Sequence, residues 1–189
     1  MSCKKGGLVL LRHNDVAAEW HHLCAVALTP SAVSDDPLIN TGRDSRDETP
    51  QSAEPPKELR GDVGDHGFWK RGTTAIFDIR VPDLDARLHR THDPRKILLR
   101  HEKAKKVKYN DLCLARRRSF TPLVFSVDGL RGPEGEAASK PFAALLSKKW
   151  SRPYSVVCPC IRCRLALALA RSASRCRSEP GPPPSNHGV

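Results

Sequence analysis

Two aspartates sixteen positions apart, Asp62 and Asp78, and a lysine further on, Lys105, are the residues of this chain best suited to chemistry. Asp78 interrupts the apolar run Ala75-Ile76-Phe77-Asp78-Ile79-Arg80-Val81. A carboxylate inside such a run is costly to bury unless it is paired or binds a cation. Asp62 lies upstream across a glycine-containing turn, so a hairpin would bring the two acids onto neighbouring strands. Two carboxylates there offer oxygen ligands to a hard divalent cation, Mg²⁺ or Mn²⁺. Such a cation acidifies a water and offsets charge on a phosphate under attack. A lysine beside it would orient that water or help neutralise the pentavalent transition state. The combined chemistry is phosphodiester hydrolysis.

The surrounding elements must position these groups. A short strand is expected over about Asp62–Phe68 and a more strongly β-branched one over Thr73–Val81, joined by a turn at Lys70, Arg71 and Gly72. A long helix starts near Pro94, where proline is tolerated, and runs to about Arg117. On a wheel of about 100° per residue, Leu98, Lys105, Tyr109, Leu112 and Arg116 share one face, with His101 and Lys108 at its flank. Lys103 and Lys106 point elsewhere and read as a solvated basic face. Lys105 either snorkels out of its apolar stripe or reaches back over the sheet to the acids.

Upstream, Asn14 and Asp15 read as caps of an amphipathic helix over 15–28, with Val16, Trp20, Leu23, Cys24, Ala27 and Leu28 at helical spacing. Residues 41–60 are polar, charged and aperiodic, and read as a disordered linker after an N-terminal helical segment, 1–40. A buried strand over 120–127 and helices over 136–150 and 155–172 complete a domain spanning 61–173, and 174–189 reads as a disordered tail. The expected fold is α/β: a small mixed central sheet flanked by helices, the long basic helix on one face and the C-terminal helices on the other.

The charge balance, 32 Lys+Arg against 21 Asp+Glu, gives a net charge of +11 and points to a polyanionic partner, most simply nucleic acid. Aromatic residues make up only 5% of the chain, which argues against a base-stacking platform for single strands. The apolar run before Arg12 and His13 is too short for a secretory h-region, and Cys163–Ala170 is too short to span a bilayer. A nuclear or cytoplasmic protein, neither secreted nor membrane-bound, is therefore expected. Seven cysteines at irregular spacing read as reduced thiols. Cys158, Cys160 and Cys163 are close enough for a Zn²⁺ site if Cys176, His21 or His22 supplies a fourth ligand. The alternative is that they are small hydrophobes at the start of an apolar helix. His13, His21 and His22 read as helix-surface residues, and His66 as packing at a strand end.

An Asp at the end of a first hairpin strand, the second strand Phe77-Asp78-Ile79-Arg80-Val81 and the helical Lys105-Lys106-Val107-Lys108-Tyr109 resemble the PD-(D/E)XK superfamily. More narrowly they resemble the restriction-like endonuclease region at the C-terminus of non-LTR retrotransposon polyproteins, in which the lysine has moved from the second strand to the following helix. Leu11-Arg12-His13-Asn14 is similar to the RHN start of such regions, and the resemblance covers about residues 8–173. It implies a restriction-endonuclease-like fold, Asp62 and Asp78 as ligands of Mg²⁺ or Mn²⁺, and Lys105 or Lys108 with Tyr109 as the basic element. The implied role is to nick target DNA so that a 3′ end primes reverse transcription, with DNA and the element's RNA as partners. The chain departs from the pattern at Gly61, where the family has proline, and in a longer Asp62–Asp78 gap that leaves Asp65 as a rival first ligand. Neither a Tyr-x-Asp-Asp palm motif nor a Cys/His knuckle accompanies it, as expected of a fragment or a decayed copy. Two alternatives stand beside a nuclease: a catalytically dead nucleic-acid-binding remnant, and a small zinc-stabilised interaction protein.

Overall fold

The computed structural model describes residues 7–40, 58–84 and 92–178. In chain order they form α1 (Gly7–Ala27), β1 (Val33–Asp35), β2 (Leu38–Asn40), β3 (Leu59–Arg60), β4 (Val63–His66), β5 (Thr74–Arg80), α2 (Pro94–Ala115), β6 (Arg118–Val124), α3 (Pro133–Trp150) and α4 (Tyr154–Ser178). Four strands make a mixed sheet in the order β1-β4-β5-β6, antiparallel except for the parallel β5–β6 pair. β2 and β3 form a separate two-stranded ladder.

β5 is apolar along nearly its whole length because it is buried on both faces. Side chains alternate along a strand. Ala75, Phe77 and Ile79 therefore join one core with Val16, Trp20 and Leu23 of α1, Phe142 of α3 and Leu165 of α4. Ile76 belongs to a second core with Tyr109 and Cys113 of α2 and Phe120 of β6. Asp78 shares the Ile76 face and so lies beneath α2. Trp20 anchors the larger core, edge-on to Phe77 at 5.4 Å and stacked on Phe142 at 5.1 Å. Such pairs contribute about 0.5–1.5 kcal/mol each beyond their buried area.

The mixed α/β architecture agrees with the sequence-based expectation, with α2 on one face of the sheet and the C-terminal helices on the other. The details differ in four places. α1 begins at Gly7, so Asn14 and Asp15 lie inside the helix rather than capping it. Leu8, Val9, Leu10 and Leu11 contain no breaker, and the helix propagates back through them. Residues 41–57 of the expected linker lie outside the described residues, but Leu59–Arg60 is strand β3, paired with Leu38–Asn40. β1 joins the main sheet beside β4, pairing Val33 with Asp65. Three strands of two or three residues carry no periodicity of their own, and only their partners create them. Finally, α4 continues past 172 to Ser178, so the first residues of the expected tail are helical and 179–189 lie outside the described residues. Among the described residues no single helix is long and apolar enough to cross a membrane.

Candidate active site at the sheet beneath the basic helix

Asp62 ends the antiparallel ladder between β4 and β5. Its backbone N–H donates to the Phe77 carbonyl at 2.9 Å, and its Oδ2 accepts from the Ile79 N–H at 2.5 Å. The carboxylate thus takes the place of the next strand carbonyl, which holds Asp62 beside the residue between those two partners, Asp78. Gly61 makes this close approach feasible. A Cβ there would strike the Ile76 side chain and lie 3.2 Å from the Phe77 carbonyl, and the Gly61 N–H donates to the Pro37 carbonyl at 2.9 Å. A proline at this position would lose that bond and lack the space for its ring.

Lys105 of α2 reaches down to the sheet, with its Nζ 2.6 Å from Asp78 Oδ2. Asp78 is only 5% exposed, and burial raises its carboxyl above the usual range. Lys105 and His13 oppose that shift, while the neighbouring Asp62 adds to it. His13 of α1 stands on the other side of the pair, its Nε2 3.1 Å from Asp62 Oδ2. The hydrogen bond to Asp62 raises the imidazole's affinity for its proton, against a smaller opposing effect of burial. The result is a row in which a basic group flanks each end of a carboxylate pair: imidazole, carboxylate, carboxylate, ammonium.

Tyr109 is buried against Phe120, with ring centroids 5.2 Å apart. The amines of Lys105 and Lys108 lie over its ring at 5.4 and 4.8 Å from the centroid. Of the two candidate lysines, then, Lys105 contacts an acid; Lys108 is exposed and pairs with no carboxylate among the described residues. Asp65 points the other way. It shares the Val63 face, is fully buried, and lies on the side of the buried Cys24 thiol of α1. Burial pushes its carboxyl up to about 6. The rival first ligand therefore lies in the core on the opposite side of the sheet from Asp78.

His13 was not legible as a site residue, because a histidine on an amphipathic helix looks like surface. The one available signal was its place in the Arg12-His13-Asn14 triplet. Glu102 was also missed. It is 1% exposed on α2 and accepts the Glu134 N–H at 3.1 Å, capping α3, and burial pushes its carboxyl up to about 7. His66 is exposed and meets Thr74 across the ladder, Nδ1 to Oγ1 at 3.2 Å. Cys160 and Cys163 are exposed and Cys158 half-buried, so packing as small hydrophobes does not account for the first two. Among the described residues no three His, Cys, Asp or Glu gather closely enough to hold a metal unaided. The Cys176 side chain lies outside the described residues.

The donor chemistry of Asp62 and Asp78 fits a hard cation that keeps several waters and takes only one or two protein carboxylates, as Mg²⁺ does. Arg95, Lys96, Arg100, Lys103 and Lys108 of α2 are exposed and make the solvent side of this helix basic, with Lys96, Arg100 and Lys103 turned away from Lys105. Neither a family model nor a curated protein matches this chain.

Proposed function

We propose that this chain is a metal-dependent DNA endonuclease domain of restriction-endonuclease-like fold, derived from a non-LTR retrotransposon, which hydrolyses a phosphodiester bond to nick target DNA. The observation that carries the reading is the meeting of Asp62 and Asp78 on neighbouring strand positions, with the Lys105 amine on Asp78. Mg²⁺ or Mn²⁺ held by the two aspartates would supply an acidified water and offset charge on the scissile phosphate. Lys105 then has a second acceptor within reach, and its amine passes from Asp78 to a non-bridging phosphate oxygen as charge develops there. Tyr109 and the stem of Lys105 share one apolar stripe, which keeps the amine pointing at the sheet rather than into solvent. His13 holds Asp62 in place by donating its Nε2 proton. The exposed lysines and arginines of α2 hold the DNA backbone at its phosphates, which makes binding steeply salt-dependent.

One observation favours the second reading, a binding remnant without turnover: both carboxylates are already compensated within the protein. Asp78 is matched by Lys105, and Asp62 by His13 and the Ile79 N–H. Nicking of supercoiled plasmid with Mg²⁺ or Mn²⁺ separates the two. The expected result is metal-dependent nicking that Asp78→Asn and Asp62→Asn each abolish, with circular dichroism unchanged. A wild type that retards plasmid but never cuts it would sink the endonuclease reading and leave the binding one.

A further inference from the structure

On the face of the sheet opposite Asp78 lies a cavity of about 320 Å³ that the acids do not use. Phe125, Leu165 and Leu169, all buried, line it together with Asp128, Arg131 and Arg162. Small-molecule sites begin at roughly this size and have the same character, mostly apolar with a few placed polar groups.

The chain builds the cleft where β6 turns back. Gly129 has a φ of 83°, Ser126 Oγ accepts the Leu130 N–H at 3.0 Å, and a bridge between Phe125 and Arg131 closes the turn. Arg131 is thereby turned toward α3, where its Nη1 donates to Ser139 Oγ at 2.7 Å. Arg162 enters from α4 and is exposed. Among the described residues neither guanidinium forms an ion pair with a carboxylate. Burial, and then the repulsion of Arg162, weaken Arg131's hold on its proton. Glu136 offsets part of Arg131's charge, and Asp128 is the one carboxylate in the lining, so the two guanidiniums outnumber it and form a set of donors suited to a phosphate. The apolar lining next to them includes an aromatic ring, which suits a planar ring, and Asp128 is an acceptor for a ring amine.

We propose that this cleft binds a nucleotide, with the phosphate on Arg131 and Arg162, the base against Phe125, Leu165 and Leu169, and an exocyclic amine toward Asp128. The ligand's source is either a free mononucleotide or one nucleotide of a strand. Phe125 stands three residues beyond Pro122, the β6 partner of Asp78. At about 3.3 Å per residue this sets the cleft roughly 10 Å along the sheet from the acids. Binding here therefore does not depend on hydrolysis.

Titration calorimetry in EDTA tests the proposal on the full chain, with dAMP, inorganic phosphate and the single strand (dA)₄ as probes. The variants are Arg162→Glu, Arg171→Glu as an exposed charge control on the same helix, and Asp78→Asn. The wild type binds dAMP, and Arg162→Glu weakens that binding by about tenfold or more, about 1.4 kcal/mol. Arg171→Glu and Asp78→Asn leave it unchanged, so a failure of nicking is read separately from a failure here. Inorganic phosphate binds at least about tenfold more weakly than dAMP because it has no ring to place on the apolar lining. A preference for (dA)₄ over dAMP that depends on Arg162 assigns the site to a strand, and equal binding assigns it to the free nucleotide. The proposal is overturned if dAMP does not bind, if Arg162→Glu binds it as well as wild type, or if phosphate alone binds as tightly as dAMP.

Discussion

Lys105→Met is the substitution that most directly tests the geometry of the site. Methionine keeps most of the apolar stem that lies along Tyr109 but removes the amine that meets Asp78 at 2.6 Å. Breaking a fully buried pair by deleting one partner costs roughly 3–5 kcal/mol. Here the side chains are 21% and 7% exposed, so water shares some of the load and about 2–3 kcal/mol is expected. The pH dependence carries a sign. Burial already raises the Asp78 carboxyl, and without Lys105 it rises further. A carboxyl raised in the folded state contributes stability that is full below its unfolded value and lost as pH rises through the folded one. The cost of Lys105→Met is therefore larger at pH 8 than at pH 5. Urea denaturation at both values measures it, and the Asp78→Asn, Lys105→Met double variant completes a cycle. A coupling of about 1.5 kcal/mol or more is expected for groups in contact. A cost within about 0.5 kcal/mol at pH 8, the range of ordinary surface changes, together with no coupling, would refute the reasoning. It would mean that the lysine snorkels out of its stripe and owes nothing to the acid.

Three further predictions follow from the same contacts. Asp65→Asn is expected to leave metal-dependent nicking intact, where Asp62→Asn abolishes it, because Asp65 is buried on the Cys24 side of the sheet; parallel plasmid assays compare them. Gly61→Pro is expected to lower stability by about 3 kcal/mol, combining a lost hydrogen bond with overpacking, and thermal denaturation should show a clear drop in melting temperature. Glu102 contributes stability that is lost as pH rises from 4.5 through about 7. Glu102→Gln keeps an acceptor for the Glu134 N–H but carries no charge, so its stability should fall less between pH 5 and pH 8. At pH 8 it should exceed wild type by up to about 3 kcal/mol, as read by denaturation midpoints. Parallel pH profiles of the two proteins would contradict this.

Much of the sheet and helix plan was open to reading because it rests on local signals. β5 declares itself by β-branched residues, α2 by Pro94 and a helical stripe, and α1 by the spacing of Val16, Trp20, Leu23 and Cys24. The edges were harder. β1, β2 and β3 are too short to carry a pattern, and α1 extends back to Gly7, past the Asn14-Asp15 pair that looked like its beginning. At the candidate site, a charge inside the apolar run of β5 marked Asp78, and the stripe it shares with Leu98 and Tyr109 marked Lys105. His13 was invisible for the opposite reason, since a helix-surface histidine looks the same whether or not an acid lies beneath it.

The sequence by itself determined that the chain is strongly basic, mixed α/β, and carries an acid where burial makes one expensive. Those properties come from residue types and periods of two or about four along the chain. Which acid stands beside Asp78 was decided only by the tertiary structure. Asp62 and Asp65 lie three positions apart, and strand alternation turns such residues to opposite faces. The same assembly brought His13 to Asp62 and the two arginines of the cleft together. These are contacts between segments remote in sequence, and no local pattern records a partner that arrives through folding.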